Sequence, residues 1–150
     1  MIKKIIVGIC VVMSTIHQIV PQSTMKLNGQ WQADSPEITS MYNDLYEFTT
    51  EGIFRFYPNA YNGMNRIIFL VGRYKIKGDS VYFLPLKSRE VHGGRFERSM
   101  YTTLSDTWEI NGGKIITTKC EKCEWQSDCF KLSNDSLVIG NRKFFKIKKE

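Results

Sequence analysis

The clearest β-hairpin of this chain is Gly72-Arg73-Tyr74-Lys75-Ile76-Lys77-Gly78-Asp79-Ser80-Val81. Tyr74 and Ile76 alternate with three cations, which is the period-2 pattern of a strand with one buried and one solvated face. Gly78-Asp79 is a two-residue hairpin loop, since glycine accepts the positive φ that such turns require. Alternation resumes after the turn, so the stretch predicts two antiparallel strands, Ile67 to Lys77 and Ser80 to Leu86.

The same pattern of short β-prone runs and turn residues recurs along the chain at intervals of about 8–12 residues, which is typical of all-β folds. Asn111-Gly112-Gly113 is the strongest turn, whereas Pro58 to Arg66 and Lys87 to Arg98 are predicted as loops. Consecutive strands usually pair with their neighbours, and a long meander removes its open edges by closing. We therefore expect a single antiparallel up-and-down β-barrel of eight to ten strands. The other predicted strands are Gln30 to Ala33, Tyr42 to Thr49, Ile53 to Tyr57, Met100 to Ile110, Lys114 to Cys120, Asp128 to Leu132, Ser136 to Ile139 and Lys143 to Ile147.

Composition agrees with one ordinary domain. The chain has 150 residues, of which 42% are hydrophobic and 13% aromatic, with a formal net charge of +6. So many aromatic residues exclude a disordered chain, and the four prolines and eleven glycines without a period exclude collagen-like and low-complexity classes.

The first residues are typical of a secretory signal peptide. A basic start, Met1 to Lys4, precedes the apolar run Ile5 to Met13 and a more polar tail. We expect a signal peptide at 1–22 and the barrel domain at 23–150, which lowers the net charge to +4 (19 cations minus 15 acids). His17, Gln18 and Pro21 interrupt the apolar segment and make it too short for a membrane span. Bulky Ile9 argues against lipidation of Cys10. The protein is predicted to be exported, either periplasmic or secreted, without a transmembrane segment in the mature chain.

Leu27-Asn28-Gly29-Gln30-Trp31 places a G-x-W motif on the first predicted strand. Together with the meander, it resembles the lipocalin superfamily, and more closely the small lipocalin-like domains of exported bacterial proteins. The resemblance implies that Gly29 and Trp31 are structural, with the indole plugging one barrel end. It also implies a late arginine stacked on that indole, for which Arg142 is the candidate. A small apolar or amphipathic ligand inside the barrel is the function that it implies.

A ligand of this kind would lie among inward-facing aromatic side chains. The expected mouth is the basic segment Lys87 to Arg98, whose arginines have the forked donors that bind a carboxylate or phosphate head group. The alternative is a solvated basic loop compensated by Glu90 and Glu97. The predicted interior residues are Tyr46, Phe54, Tyr74, Phe83 and Trp108, and the predicted mouth residues are Arg89, Arg95 and Arg98.

Three cysteines follow residue 100, and an exported protein is expected to oxidise two of them. A Cys120–Cys129 disulfide would join two neighbouring strands at the base of their loop. Cys123 could instead pair with Cys129, or with Cys120 as a C-x-x-C redox couple. Three thiolates could also bind Cu(I), whereas zinc would need a fourth ligand, and His92 is about thirty residues away. No metal and no cofactor is predicted.

Known catalytic motifs such as G-x-S-x-G and H-E-x-x-H are absent from the sequence, so we expect a non-enzyme. No nucleic-acid partner is predicted, because the cations are scattered among strands. The positive charge favours an anionic membrane surface or a polyanionic glycan as the partner instead. The alternatives to ligand binding are a filled barrel that serves as a structural or protein-interaction module of the cell envelope, and a thiol- or copper-handling protein. Exposed aromatic residues on the two long loops would favour the interaction module.

Overall fold

The computed structural model describes residues 27–35, 43–60, 62–100 and 107–147. No helix within these ranges is long and apolar enough to cross a membrane. The predicted signal peptide lies outside the described residues. The strands are β1 (Gly29–Ala33), β2 (Leu45–Phe48), β3 (Ile53–Tyr57), β4 (Ile67–Lys77), β5 (Ser80–His92), β6 (Arg95–Arg98), β7 (Trp108–Asn111), β8 (Lys114–Lys119), β9 (Gln126–Leu132), β10 (Ser136–Ile139) and β11 (Arg142–Lys146).

Eight of these strands close into an antiparallel barrel in the order β1-β2-β3-β4-β5-β9-β10-β11, with β11 paired to β1. The predicted all-β barrel is therefore confirmed. The chain departs from a simple meander between β5 and β9, where β6, β7 and β8 are inserted outside the closed ring. Because of this insertion, the neighbour of β5 in the barrel is β9 rather than the next strand along the chain.

The inserted strands form an extension that we call the arm: residues 87–92 of β5 together with β6, β7 and β8. A bulge at Leu86 shifts the register of β5 against β4, so that Gly72 pairs with Pro85 and Val71 with Lys87. Beyond this bulge, β5 continues to His92. β8 then pairs with residues 87–92 of β5, and β6 pairs with β7 as a separate hairpin.

The predicted loop from Lys87 to Arg98 is wrong, because this segment is the end of β5, a turn at Gly93-Gly94 and β6. The loop prediction followed the density of charge, but a strand with a solvated face accommodates charged residues as well as a loop does. In the predicted strand Met100 to Ile110, only the end is observed as β7, since residues 101–106 lie outside the described ranges.

The core lies inside the barrel, and Trp31 is part of it. Its side chain is 1% exposed, and its Nε1 donates a hydrogen bond to the carbonyl oxygen of Leu27 at 2.7 Å. The cation over its ring is Lys146, whose Nζ lies 5.5 Å from the ring centroid. The prediction that Arg142 stacks on Trp31 is wrong, because Trp31 pairs with Lys146 and Arg142 lies four residues, or about 13 Å, further along β11.

Candidate interaction surface

Four of the five predicted interior residues point into the barrel. Phe54 and Tyr74 are buried, and Tyr46 and Phe83 pack against the core. Their rings contact one another and their neighbours: the centroid of Tyr46 lies 4.5 Å from that of Phe56 and 5.8 Å from that of Phe83, and Phe54 meets Phe83 at 5.0 Å. These rings therefore pack on one another inside the barrel.

Trp108 is the exception, and its predicted place in the interior is wrong. It begins β7 on the arm and is 43% exposed, with the guanidinium of Arg98 at 5.9 Å from its ring centroid. Trp108 and Ile110 are two residues apart, as the residues on one face of a strand are, and this spacing was correctly interpreted as a strand. This strand, however, pairs with β6 instead of a barrel strand.

The three predicted mouth arginines do not converge. Arg95 and Arg98 are three residues apart on β6, so their side chains leave opposite faces, and Arg89 lies on β5 opposite Thr117. Glu90 approaches His92 at 3.8 Å, and Glu97 accepts a hydrogen bond from Asn111 at 2.9 Å. Within the described residues, neither acid pairs with one of these arginines.

The barrel end beside the arm is instead lined by acidic residues. Arg142 forms ion pairs with Asp44 and, at 3.9 Å, with Asp34, and Asp44 accepts a hydrogen bond from the backbone N–H of Asn59 at 2.6 Å. Asp128 lies beside Gly140 at the same end. No sequence motif predicts this cluster. Its residues are far apart in the chain, and only closure of the barrel brings them together.

Tyr46 lies near this cluster, and its pKa is raised to about 12, first by burial and then by the Asp44 carboxylate. The folded protein therefore holds the phenolic proton more tightly than the unfolded chain does. Tyr46 contributes stability that is complete below the unfolded pKa of about 10 and is lost as the pH rises through about 12. We expect Tyr46→Phe to move alkaline unfolding, followed by circular dichroism, to higher pH. At pH 7 the variant should match the parent, and a lower alkaline midpoint would contradict the assignment.

The cysteines pair differently from the prediction. Cys120 and Cys123 form the disulfide, with Cα atoms 5.6 Å apart, and Cys129 is free and exposed. The predicted Cys120–Cys129 bridge is wrong because Cys120 lies opposite Leu86 and Cys129 opposite Ser80. Six residues of β5 separate these positions, which is about 20 Å, far beyond the reach of a disulfide.

Thiol labelling distinguishes the two pairings. Among these three cysteines, we expect an alkylating reagent applied without reduction to label Cys129 alone, and labelling after reduction to reach all three. Mass spectrometry of peptides cut between Cys123 and Cys129 reads the position of the label. A label found on Cys123 before reduction would instead support the Cys120–Cys129 bridge.

Metal-ligating side chains do not cluster in the part of the chain that the structure describes: no group of three or more His, Cys, Asp or Glu side chains is placed to hold an ion there. In the oxidised pair, the sulfurs of Cys120 and Cys123 are joined to each other, so a copper site of three thiolates would require their reduction.

Large apolar side chains are exposed mainly on and around the arm. Met64 in the preceding loop is 54% exposed, and Ile110 of β7 binds the same loop through a hydrogen bond to the Gly63 carbonyl oxygen at 2.9 Å. The guanidinium of Arg66 lies 5.3 Å from the ring centroid of Phe96 and donates to the Gly93 carbonyl oxygen at 2.6 Å. The loop and the hairpin thus form one surface. The exposed apolar residues of this loop and hairpin are Met64, Phe96, Met100 and Trp108.

β8 is an edge strand of the arm, and its Ile115 and Ile116 side chains are exposed as well. Within the described residues it pairs with β5 alone, and all six of its residues are exposed. The backbone N–H of Cys120 donates to the Leu86 carbonyl oxygen at 2.9 Å, which continues the β5–β8 ladder. Since hydrogen-bonded residues alternate in an antiparallel ladder, Lys114, Ile116 and Thr118 bond to β5. The backbone groups of Ile115, Thr117 and Lys119 then point to the open edge.

No family model, no curated protein and no solved structure matches this chain. The function therefore has to be inferred from the geometry of the described residues.

Proposed function

We propose that this protein is an exported, non-catalytic interaction module: the barrel is a scaffold, and the arm binds an envelope protein by adding a strand to β8. The observation that carries the proposal is the open edge of β8. A strand with unpaired N–H and C=O groups is a template for an extended segment of another protein. The Cys120–Cys123 disulfide supports a place outside the cytoplasm, where such bonds persist.

The side chains of β8 support the same function. Ile115 is 55% exposed and Ile116 42%, and because they are adjacent in a strand they lie on opposite faces. An added strand would therefore find an apolar neighbour on either face. At the base of the arm, a groove of about 240 Å³ lined in part by Leu70, Pro85 and Thr118 could take a side chain of the partner.

Site-specific cross-linking in intact cells tests the proposal. A photoreactive amino acid at Ile115 is expected to give a defined adduct with another protein. The same group at Lys131, which is exposed on the barrel strand β9, is the matched control and should not give that adduct.

Thr117→Pro, introduced into the Ile115-labelled protein, tests whether the adduct requires the open backbone edge of β8. Proline removes one backbone donor that faces the open edge and leaves the hydrogen bonds to β5 intact, as proline on an edge strand does. We expect the adduct to disappear while the melting temperature changes little. The proposal fails if the adduct persists, or if positions 115 and 131 give the same products.

The second candidate is a small apolar or amphipathic ligand in the barrel, which the inward-facing aromatic side chains favour. Native and denaturing mass spectrometry of the purified protein separates the two. Because the described rings pack on one another, we expect the native mass to equal that of the chain less two hydrogens for one disulfide. Additional native mass of small-molecule size, lost on denaturation, would support the ligand.

A further inference from the structure

Most lysine and arginine side chains of the neighbouring strands β4, β5 and β8 lie on one face of the sheet. β4, β5 and β8 together contain seven lysines and arginines and one acid, Glu90. On β4, Arg73, Lys75 and Lys77 alternate with buried Tyr74 and therefore lie on the outer face of the barrel.

The strand register shows that cations of the arm lie on the same face as those of β4. Val71 is on the same side of β4 as Arg73 and pairs with Lys87, which in turn pairs with Lys119. Paired residues of antiparallel strands share a face, and Arg89 follows Lys87 by two residues. Glu90 and Lys114 fall on the opposite side. We call the resulting surface the basic face; it consists of Arg73, Lys75, Lys77, Lys87, Arg89 and Lys119, all of them exposed.

The strands of the basic face have no acid on that side, since their one acid, Glu90, lies on the opposite side. Among the residues that the structure describes, none of its six cations forms a salt bridge. Lys87 and Lys119 are directly opposite each other, an arrangement of like charges that disfavours the pairing of two strands. A bound anion would relieve this repulsion, so the charge distribution fits an anionic partner.

Aromatic and apolar side chains lie among these cations. The Nζ of Lys75 is 4.0 Å from the ring centroid of Trp125 and 5.5 Å from that of Tyr82. Trp125 is 41% exposed, and Ile115 is exposed on the same face of β8. Tryptophan and tyrosine beside lysines are the residues that proteins place at the headgroup level of a membrane.

We propose that the basic face binds the surface of a membrane that contains anionic lipids. Lys77 pairs with Ser80 and Arg89 lies nine residues further along β5, so the face is about 30 Å long and three strands, or about 10 Å, wide. Cations spread along one face over this length can contact several phosphate headgroups of a membrane surface at once. The basic face consists of side chains on one side of the sheet, whereas strand addition would use the in-plane backbone groups of β8, so the inference does not rest on the proposed function.

Vesicle co-sedimentation tests this inference. The full purified protein should bind vesicles in which about 30% of the lipid is phosphatidylglycerol and the rest phosphatidylcholine, but not pure phosphatidylcholine. Binding should be strong at about 50 mM salt and weak at about 500 mM, since salt screens the attraction. Each cation near such a surface contributes about fivefold in affinity, so the triple variant K75Q/K87Q/K119Q should bind about 100-fold more weakly.

The matched control removes the same charge elsewhere. K114Q/K131Q/K143Q lowers the net charge by three without touching the basic face, and it should retain most of the binding. Equal losses in both triple variants would overturn the inference, because net charge alone would then account for binding. Retention on immobilised heparin without binding to the anionic vesicles would also overturn it, in favour of an acidic polysaccharide. Circular dichroism of both variants verifies that they are folded.

Discussion

Trp31→Ala is expected to lower the free energy of unfolding by about 3–5 kcal/mol. The indole is 1% exposed and donates a hydrogen bond to the Leu27 carbonyl oxygen, so alanine leaves both a cavity and an unsatisfied acceptor. The side chain of Lys146 would also lose the ring over which it lies. For a domain of this size, we expect the melting temperature to fall by about 15 °C, measured by calorimetry or circular dichroism.

Trp108→Ala is the control, because Trp108 is 43% exposed on the arm. This variant should melt within a few degrees of the parent, since surface substitutions usually change stability by about 0.5 kcal/mol or less. Trp31→Phe keeps most of the buried area and loses only the donor, so it should lie between the two. Equal melting temperatures for the Trp31→Ala and Trp108→Ala variants would contradict a stabilising role of Trp31 in the core.

Gly72→Ala is the second substitution with a large expected effect. Gly72 lies where β4 shifts register against β5, and the backbone of Leu84 approaches it closely. A Cβ here would overlap the Leu84 carbonyl oxygen and come within 2.8 Å of Cε1 of Phe54. Neither neighbour can yield without disturbing the pairing of β4 with β5 or the aromatic core, so we expect a loss of about 3 kcal/mol. Chemical denaturation measures this loss directly.

Gly78→Ala provides the comparison for Gly72→Ala. Gly78 has a φ of +63°, but no described atom lies within 4 Å of the position of its Cβ. The cost there comes from the backbone conformation alone and should be about 1–2 kcal/mol. If the Gly72 variant were no less stable than the Gly78 variant, close packing of β4 against β5 at Gly72 would not be important for stability.

Local sequence patterns were sufficient for the strands themselves. The predicted bounds of Ile53–Tyr57, Ile67–Lys77 and Ser136–Ile139 are confirmed to the residue. Alternation of apolar and polar residues reports which side of a strand is buried, and it does so without knowledge of the neighbouring strand. For the same reason, Tyr46, Phe54, Tyr74 and Phe83 were correctly assigned to the interior.

The candidate sites were harder to predict, because they depend on which strands become neighbours. Trp108 has the alternation of a barrel residue, yet β7 pairs with β6 on the arm. The cluster of Asp44, Asp128 and Arg142 has no signal in the spacing of its residues. The disulfide was mispaired because β8 and β9 were expected to pair with each other, whereas each pairs with a different part of β5.

The basic face depends partly on local sequence and partly on tertiary structure. Alternation in the sequence already places Arg73, Lys75 and Lys77 on the side opposite Tyr74, and local physics is enough for that, because successive side chains of a strand point to opposite faces. The addition of Lys87, Arg89 and Lys119 depends on the bulge at Leu86 and on the pairing of β5 with β8. Those pairings join residues far apart in the chain, and their register is set by the packing of the whole sheet. The tertiary structure alone therefore decides that six scattered cations form one surface.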